Sequence, residues 1–370
     1  MQISKINLND NSDLNFIKDF LSPYTKRAYL VGGSVRDLLL GQQIYDYDIE
    51  LYDISENDFG SLMQKLGANG FGKSFFVYKF KNFDFALART ENKVKAGHTG
   101  FETKICNDEK LASKRRDFTI NSMMINLFSG EFLDFHQGLK DLKNGLLRHI
   151  DEKSFKEDSL RILRGIAFAS RFNFKIANES LKLMQSMDIM ELSKDRINAE
   201  LYKFFVSSRL DIGYKYLQIL NLEEKIFHFN SLKFSEQFQN LLKNAREFVK
   251  DEALFLYLYL NFFKLDFDIF FQKTKLKKAF LRSAKQPFFL DKISDFELGL
   301  IAFEMPLKNW LGLYSEERIL RAKKFELYEN KFQSKIKPYE LKKTGICGKM
   351  LGLKLKSLKE LELKEYLERF

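Results

Sequence analysis

The feature that most restricts the fold of this chain is a Gly-Gly pair followed, 13 residues after the second glycine, by two aspartates one residue apart. Residues 29–53 read YLVGGSVRDLLLGQQIYDYDIELYD. Residues 27–31 predict a short strand that ends at Gly32-Gly33, and residues 34–40 predict a helix. The glycines would let the backbone turn tightly and approach a ligand at this corner.

Ser34 and Asp37 have the spacing of a capping box, so we expect Ser34 to cap the helix. The N–H groups at the start of that helix favour a phosphate. An ordinary strand–turn–helix corner explains the same residues, so the glycine turn alone does not define a site.

Residues 45–53, YDYDIELYD, alternate polar and apolar side chains as a strand does. Asp46 and Asp48 would therefore project from one face. Such carboxylates repel each other unless a cation lies between them, and their oxygens suit Mg²⁺, which also binds substrate phosphates. Glu50 on the same face, or Asp84 on a neighbouring strand, is the candidate for a third carboxylate. A solvent-exposed strand face explains both residues equally well.

The charge distribution suggests a polyanionic partner for the C-terminal half. The net charge is +11, and residues 211–370 contain 30 Lys and Arg against 22 Asp and Glu, which leaves +3 for residues 1–210. A basic half is typical of nucleic-acid binding. A generally lysine-rich composition would give the same numbers.

Cysteine usage and apolar runs indicate a soluble protein of the cytoplasm. Cys106 and Cys347 form neither a disulfide framework nor a zinc pattern, and the sequence starts without a secretory or transit-type segment. The apolar run at residues 253–263 is about half the ~20 residues of a membrane span, and it predicts a buried helix. The four histidines are scattered and predict no metal site.

Strand signals are confined to residues 1–150. Residues 74–80 and 83–88 predict a hairpin across Lys81-Asn82, and MMINLF with EFLDF predicts a second hairpin across Ser129-Gly130. Long helical periodicities dominate after residue 151. The pattern predicts a head of mixed α and β structure followed by an all-α remainder.

Four further motifs follow in the order RRDFTINSMM (115–124), LDFHQGLKDL (133–142), EDSLRILRGIAFASRF (157–172) and SKDRINAELYKF (193–204). Together with GGSVRD and DYD, this series resembles the bacterial-type (class II) tRNA CCA-adding enzymes and poly(A) polymerases of the nucleotidyltransferase superfamily. The resemblance covers residues 29–205, and beyond residue 210 it is only general.

The resemblance implies an α+β fold with a polymerase-β-like, mixed-sheet nucleotidyltransferase head at residues 1–150. A helical neck at 151–210 and an all-α body and tail at 211–370 would follow. It also implies a template-independent enzyme that adds CCA to tRNA from CTP and ATP, uses Mg²⁺ and releases pyrophosphate. The partner would be tRNA, bound through its acceptor and T arms. No association with a membrane is expected.

The resemblance assigns roles to individual residues of the motifs. Asp46 and Asp48 would be catalytic and would hold Mg²⁺. The nucleotide-binding positions would be Gly32, Gly33, Arg36 and Asp37 at the triphosphate, Arg116, Asp117 and Asn121 at the nucleotide and sugar, and Glu157, Asp158, Arg161 and Arg164 around the nucleobase.

The hydrogen-bonding edges of the bases complement an Asp158–Arg161 pair. Cytosine and adenine present an amino donor beside a ring-nitrogen acceptor, which a carboxylate and a guanidinium can bind. Uracil and guanine present the reverse order, and an unpaired buried polar group costs about 1–3 kcal/mol. Glu157 would hold Arg161 by an i,i+4 contact in an amphipathic helix over residues 157–172. Simple surface ion pairs on that helix are the alternative.

Three other segments have weaker patterns. Arg196 and Glu200 favour a structural helix that braces the base-reading helix. LDFHQGLKDL predicts a loop, for which the resemblance implies a hinge role. Residues 89–101 predict a mobile loop, whose presence favours addition of the full CCA by resemblance.

Two basic segments lie in the C-terminal half. Residues 271–285 carry six Lys and Arg and no acid, and residues 335–359 carry one acid, Glu340. Phosphate contacts by such segments give salt-dependent affinity without sequence preference. A solvated, lysine-coated helix is the alternative. The RNA-binding candidates are Lys273, Lys275, Lys277, Lys278 and Arg282.

Three other functions stay open at this point. The first is a narrower output, by an A-adding or CC-adding enzyme or a poly(A) polymerase. The second is a non-catalytic RNA-binding protein, against which the Asp46/Asp48 pair argues. The third is a small-molecule nucleotidyltransferase, which would not need a basic helical extension. The chain lacks the metal-binding His-Asp pair of the phosphohydrolase domain of some relatives, so we predict no such activity.

Overall fold

The computed structural model describes residues 4–8, 11–71, 77–93, 101–231, 235–342 and 347–370. The chain divides into two compact units, Met1–Ile197 and Asn198–Phe370. Among the described residues, the named strands all lie in the first unit and the second unit is helical. The prediction of a mixed-sheet head followed by a helical remainder is therefore confirmed. The finer division at residues 150 and 210 stays a prediction.

The first unit is built on a mixed sheet. Its strands are β1 (Ala28–Val31), β2 (Tyr47–Leu51), β3 (Asn69–Phe71), β4 (Val77–Phe80), β5 (Phe83–Leu87), β6 (Arg89–Lys93), β7 (Phe101–Ile105), β8 (Met124–Asn126), β9 (Phe132–Leu133), β10 (Leu146–Leu147) and β11 (Lys175–Ile176). Seven of them form one sheet in the order β3-β4-β5-β2-β1-β8-β9. In this sheet β2 and β5 run parallel, and the other described pairs run antiparallel.

Both predicted hairpins are present, β4–β5 and β8–β9. The turn of the first hairpin has Lys81 in a left-handed conformation, with φ 52°. Residues 74–76 of the predicted first strand lie outside the described residues. On β5, Phe83, Phe85 and Leu87 are buried while Asp84 and Ala86 are partly exposed. This alternation turns Asp84 toward the face opposite the aromatic core.

Short helices pack around the sheet. The helices of the first unit are α1 (Ser12–Leu21), α2 (Gly33–Leu39), α3 (Glu56–Leu66), α4 (Glu109–Ser113), α5 (Gly138–Lys143), α6 (Glu152–Lys156), α7 (Leu160–Phe172) and α8 (Asn178–Gln185), and α9 (Lys194–Phe205) spans the boundary. A 3-10 turn, Thr119–Asn121, precedes β8.

The second unit contains ten further helices within the described residues. They are α10 (Leu210–Ile219), α11 (Leu222–Phe227), α12 (Ser235–Phe248), α13 (Leu254–Phe262), α14 (Phe267–Thr274), α15 (Lys278–Ala284), α16 (Asp295–Glu304), α17 (Glu316–Lys324), α18 (Pro338–Lys342) and α19 (Gly348–Leu367). The predicted buried helix is α13, whose residues 254–260 are all buried. None of the described helices has both the length and the hydropathy that crossing a bilayer requires.

Candidate active site

The glycine turn lies directly against the second aspartate. Gly32 follows β1 with φ +67° and ψ −132°, and α2 begins at Gly33. A side chain is strained in that backbone conformation. A Cβ atom on Gly32 would also lie 3.2 Å from Oδ2 of Asp48. The position therefore needs glycine twice, for its backbone angles and for the approach of the carboxylate.

Ser34 does not cap α2, so that prediction is wrong. The helix begins one residue earlier than expected, and its N-cap residue is Gly32, which has no side chain to donate or accept. Ser34 therefore falls in the first turn, where its Oγ donates to the carbonyl of Asp46 at 3.0 Å. The same Oγ accepts the N–H of Asp48 at 2.9 Å. Ser34 thus fixes the backbone of both aspartates against α2.

The acidic residues gather where β2, β4 and β5 lie side by side. Asp46 immediately precedes β2 and is exposed, Asp48 is half-buried, and Asp84 is the register partner of Asp48 on β5. Burial and the nearby charge of Asp84 raise the pKa of Asp48 to about 6. Lys79 on β4 places its Nζ 3.2 Å from Asp46 and 3.5 Å from Asp84. Asp84 is therefore close to the pair, as one candidate for a third carboxylate should be.

Sequence reasoning missed Lys79, although a signal was available. A two-residue turn at Lys81-Asn82 pairs Phe80 with Phe83, and the next pair along the hairpin is then Lys79 with Asp84. The predicted hairpin therefore already contained this opposite-charge pair.

Glu50 is neither a solvent-exposed residue nor an available third ligand. Its side chain is 1% exposed, and its carboxylate accepts bonds from Arg115, Arg116 and the Tyr52 hydroxyl. Burial opposes ionisation of Glu50, but the charges of Arg116 and Arg115 outweigh burial and lower its pKa to about 2. The strand pattern could not show this, because both arginines come from a segment more than 60 residues away in the sequence.

One chain of hydrogen bonds links three of the predicted motifs. Arg36 donates to Oδ1 of Asn121 at 2.7 Å, and the Asn121 amide donates to Oδ1 of Asp117 at 2.9 Å. Arg164 donates to Oδ2 of Asp117 at 2.7 Å. Burial opposes ionisation of Asp117, but Arg164 and Asn121 outweigh it and hold its pKa below the ordinary value. The structure thus brings together four of the predicted nucleotide-binding residues.

Arg36 is also held by aromatic rings from α7, which the sequence did not reveal. Its guanidinium carbon lies 5.2 Å from the ring centroid of Phe168 and 4.8 Å from that of Phe172. Asp37 accepts from its Nε at 2.8 Å. Asp37 also lies 3.4 Å from Arg171 of α7. These contacts hold α7 against α2, the helix that follows the glycine turn.

The base-reading helix begins later than expected. Helix α7 starts at Leu160, and Glu157 is the C-cap residue of the preceding α6. Asp158 lies between the two helices and accepts the N–H of Leu160 at 3.1 Å. The prediction of one helix over residues 157–172 is wrong at its start, because the chain breaks into two helices there. The i,i+4 contact between Glu157 and Arg161 stays a prediction.

Asp158 and Arg161 each have other partners in this structure. Asp158 receives bonds from Arg196 at 3.2 and 3.3 Å. Arg161 donates to the carbonyl of Ser154 at 2.8 Å and to that of Arg115. The motif around Arg196 therefore holds the acid just before α7, and Arg161 joins α7 to the RRD segment.

The LDFHQGLKDL segment is a loop at residues 134–137 and a helix from Gly138 onward, so the loop prediction is wrong for its second half. Helix α5 occupies its second half, and Asp134 accepts the N–H groups of Gly138 at 2.7 Å and Leu139 at 2.9 Å. Asp141 accepts from the Thr119 hydroxyl at 2.8 Å. Asp134 acts as the start signal of a helix, which the prediction overlooked. The hinge role implied for this segment stays a prediction.

The remaining predicted residues lie elsewhere or outside the described parts. Residues 94–100 of the predicted mobile loop are not among the described residues, and 89–93 and 101 belong to strands. In the second unit, the RNA-binding candidates are all exposed: Lys273, Lys275, Lys277, Lys278 and Arg282. Lys277 also lies over the ring of Tyr202, at 4.3 Å from its centroid.

The part of the chain that contains the sheet and the glycine turn matches a protein-family model. The family model described as the poly(A) polymerase head domain matches residues 28–148. Residues 28–148 therefore resemble a poly(A) polymerase head domain. The matched residues contain the glycine turn, Asp46, Asp48 and the RRD segment, so the predicted family resemblance is confirmed.

Two curated proteins are similar to parts of this chain. A multifunctional CCA protein of Nitrosospira multiformis is 42% identical over 167 residues, which cover 44% of this chain and 38% of that protein. An A-adding tRNA nucleotidyltransferase of Aquifex aeolicus is 29% identical over 379 residues, covering 90% of this chain and 44% of that protein. The matches span less than half the length of either relative.

A solved structure shows the same fold through both units. The CCA-adding enzyme of Bacillus stearothermophilus in complex with CTP superposes with a TM-score of 0.70 and 18% sequence identity. The match covers 97% of this chain and 94% of that chain. The likeness of fold therefore extends beyond residues 28–148 through the helical second unit.

Proposed function

We propose that this chain is a template-independent tRNA nucleotidyltransferase that adds CCA to the 3′ end of tRNA from CTP and ATP. The main support for this proposal is the contact between the glycine turn at Gly32-Gly33 and Asp48 of β2. Gly32 lies against the carboxylate of Asp48, and Ser34 holds the backbone of both Asp46 and Asp48. A triphosphate on the turn would thus meet the acidic pair.

The acidic residues have the chemistry of a Mg²⁺ site completed by substrate. No group of three or more His, Cys, Asp or Glu side chains suited to a metal is found in the described parts of the chain. Two carboxylates with substrate phosphates are, however, the ligand set that Mg²⁺ commonly takes. The raised pKa of Asp48 reflects burial and repulsion from Asp84 and Asp46, which a divalent cation would relieve. Asp46 and Asp48 would hold Mg²⁺, which activates the attacking hydroxyl and stabilises the leaving pyrophosphate when bound.

The reaction is an in-line displacement at the α-phosphorus of the nucleotide. The 3′-hydroxyl oxygen of tRNA forms the new P–O bond, and the bond to pyrophosphate breaks. The N–H groups after Gly32 would bind the triphosphate at the start of α2. Arg36 adds a positive charge there, and its bonds to Asp37 and Asn121 fix that charge in place.

Asp158 and Arg161 would select the nucleobase. Both side chains are partly exposed, and each is oriented by neighbours: Arg196 binds Asp158, and the Ser154 carbonyl binds Arg161. A carboxylate and a guanidinium fixed in this way match the amino and ring-nitrogen edge of cytosine and adenine. With uracil or guanine, the carboxylate would face a carbonyl and the guanidinium would face an N–H. Each of these unpaired contacts costs about 1–3 kcal/mol.

The exposed cations of α14 and α15 would bind the tRNA backbone. They lie in the second unit, where residues 271–285 carry no acid. Contacts of lysine and arginine with phosphates depend on salt and not on base sequence. That property suits an enzyme that accepts every tRNA by the shape of its acceptor and T arms.

A second candidate function is addition of the terminal A alone. It is favoured by the match to the A-adding tRNA nucleotidyltransferase of Aquifex aeolicus, which covers 90% of this chain. The same site chemistry would serve both enzymes, because Asp158 and Arg161 complement cytosine and adenine alike.

An incorporation assay separates these functions. The purified chain is given CTP and ATP together, one of them labelled, with two substrates, a tRNA ending at the discriminator nucleotide and a tRNA ending in CC. A CCA-adding enzyme extends the first tRNA by three nucleotides, whereas an A-adding enzyme extends only the second. Asp46→Ala serves as the inactive control. Absence of incorporation on both tRNAs would exclude the proposed function.

A further inference from the structure

The nucleotidyl-transfer scheme above assigns no role to Glu50, a buried acid next to the site. Glu50 is 1% exposed and lies on β2, two residues beyond Asp48. A buried carboxylate is unfavourable unless it is paired and hydrogen-bonded. Glu50 meets that condition through two arginines and the hydroxyl of Tyr52 at 2.6 Å.

The two arginines are adjacent in the sequence and share one carboxylate oxygen. Arg115 and Arg116 both bond Oε2 of Glu50, Arg116 at 2.8 Å. One carboxylate balances only one of the two guanidinium charges, so these three side chains sum to +1. Arg116 also reaches the carbonyl of Ser122 at 3.4 Å. Glu50 follows Asp48 by two residues on β2, so the two side chains project from one face of the strand. The guanidinium that Glu50 holds therefore lies on the strand face that carries Asp48.

We propose that Glu50 is a positioning residue for nucleotide binding, which fixes the guanidinium of Arg116 toward the triphosphate. The inference rests on the proposed function, because it needs a nucleoside triphosphate at Asp46 and Asp48. Glu50 itself touches no substrate in this scheme. It acts through Arg116, whose side chain is only 9% exposed and so has few other orientations.

The substitution Glu50→Gln distinguishes a positioning role from a purely electrostatic one. The two roles predict opposite changes in the affinity for CTP. Glu50→Gln removes a negative charge next to the site, so a role in charge alone predicts tighter binding of CTP. A positioning role predicts weaker binding, because the amide no longer holds two guanidinium groups and Arg116 loses its charge-assisted bond. The sign of the change in affinity thus distinguishes the two.

The experiment measures dissociation constants of CTP, ATP, cytidine and adenosine for the full chain by calorimetry. For Glu50→Gln we expect CTP and ATP to bind about tenfold more weakly, with the nucleosides unchanged, since they lack the triphosphate. Tyr52→Phe is the matched control. It removes one hydrogen bond to Glu50 but neither guanidinium contact, and should leave the affinity for triphosphates within about twofold.

A second variant keeps the test informative if Glu50→Gln does not fold. Glu50→Gln combined with Arg115→Gln preserves the single excess positive charge, and we expect the same loss of triphosphate affinity. Unchanged or tighter triphosphate binding by either folded variant, equal loss for nucleosides, or failure of both variants to fold would overturn the proposal. A wild-type chain that binds neither triphosphate would instead overturn the proposed function on which it rests.

Discussion

Replacing Gly32 by Ala tests whether the glycine turn and the acidic strand act as one site. The new Cβ would lie 3.2 Å from Oδ2 of Asp48, in a residue with φ +67° and ψ −132°. Holding a residue other than glycine in such a sparsely populated backbone region costs about 1–3 kcal/mol. Relief of the contact also moves Asp48, and displacement of a reacting group by about 1 Å lowers turnover about 100-fold.

Gly41 provides a matched control for the backbone effect. It has φ +66°, but a Cβ atom there meets nothing within 4 Å. Gly41→Ala should therefore lower the free energy of unfolding by about 1–2 kcal/mol and leave nucleotide incorporation nearly unchanged. The difference between the two variants isolates the contact with Asp48.

The assays are urea denaturation for stability and single-turnover incorporation for the chemical step. We expect both variants to lose stability, and only Gly32→Ala to lose about 100-fold in the chemical step. Wild-type turnover by Gly32→Ala, or an equal loss of turnover in Gly41→Ala, would show that the contact between Gly32 and Asp48 does not support the chemical step.

Four further outcomes are expected. Lys79→Met removes the ammonium that bridges two site carboxylates, so Mn²⁺ should bind up to about fivefold more tightly in calorimetry; unchanged affinity would argue against competition. Asp158→Ala removes one partner of the base, so discrimination against UTP and GTP should fall at least about tenfold in the incorporation assay, and intact discrimination would exclude its reading role. Asp117→Ala leaves a buried hydrogen-bond network without its acid and should lower the free energy of unfolding by about 3 kcal/mol, whereas a loss under about 1 kcal/mol would show that the network relaxes. Lys273→Gln with Lys278→Gln should reduce the slope of log tRNA affinity against log salt by about 1.8; an unchanged slope would place the RNA elsewhere.

The sequence predicted those parts of the fold that local patterns determine. The strand before Gly32, both hairpins and the buried helix α13 follow from periodicity and turn residues. The capping box at Ser34 has the right spacing, yet the helix starts one residue earlier and the hydroxyl binds β2 instead. A spacing rule could not foresee this, because the competing partners, the Asp46 carbonyl and the Asp48 N–H, come from another segment of the chain.

The sequence motifs predicted residues that belong to the candidate site. They did not predict which of these side chains contact each other. The contacts of Glu50 with Arg116 and of Asp158 with Arg196 join segments that are 66 and 38 residues apart. The cation–π contact of Phe168 with Arg36 likewise depends on how α7 packs. Such partners are set by tertiary packing, and one sequence contains no local signal for them.

The most direct test of nucleotidyl transfer at this site is a crystal structure of the chain with CTP and Mg²⁺. We expect metal density at Asp46 and Asp48, the triphosphate along the turn at Gly32, and the cytosine edge at Asp158 and Arg161. Density that places the cytosine away from Asp158 and Arg161, or the metal away from Asp46 and Asp48, would contradict the proposed function.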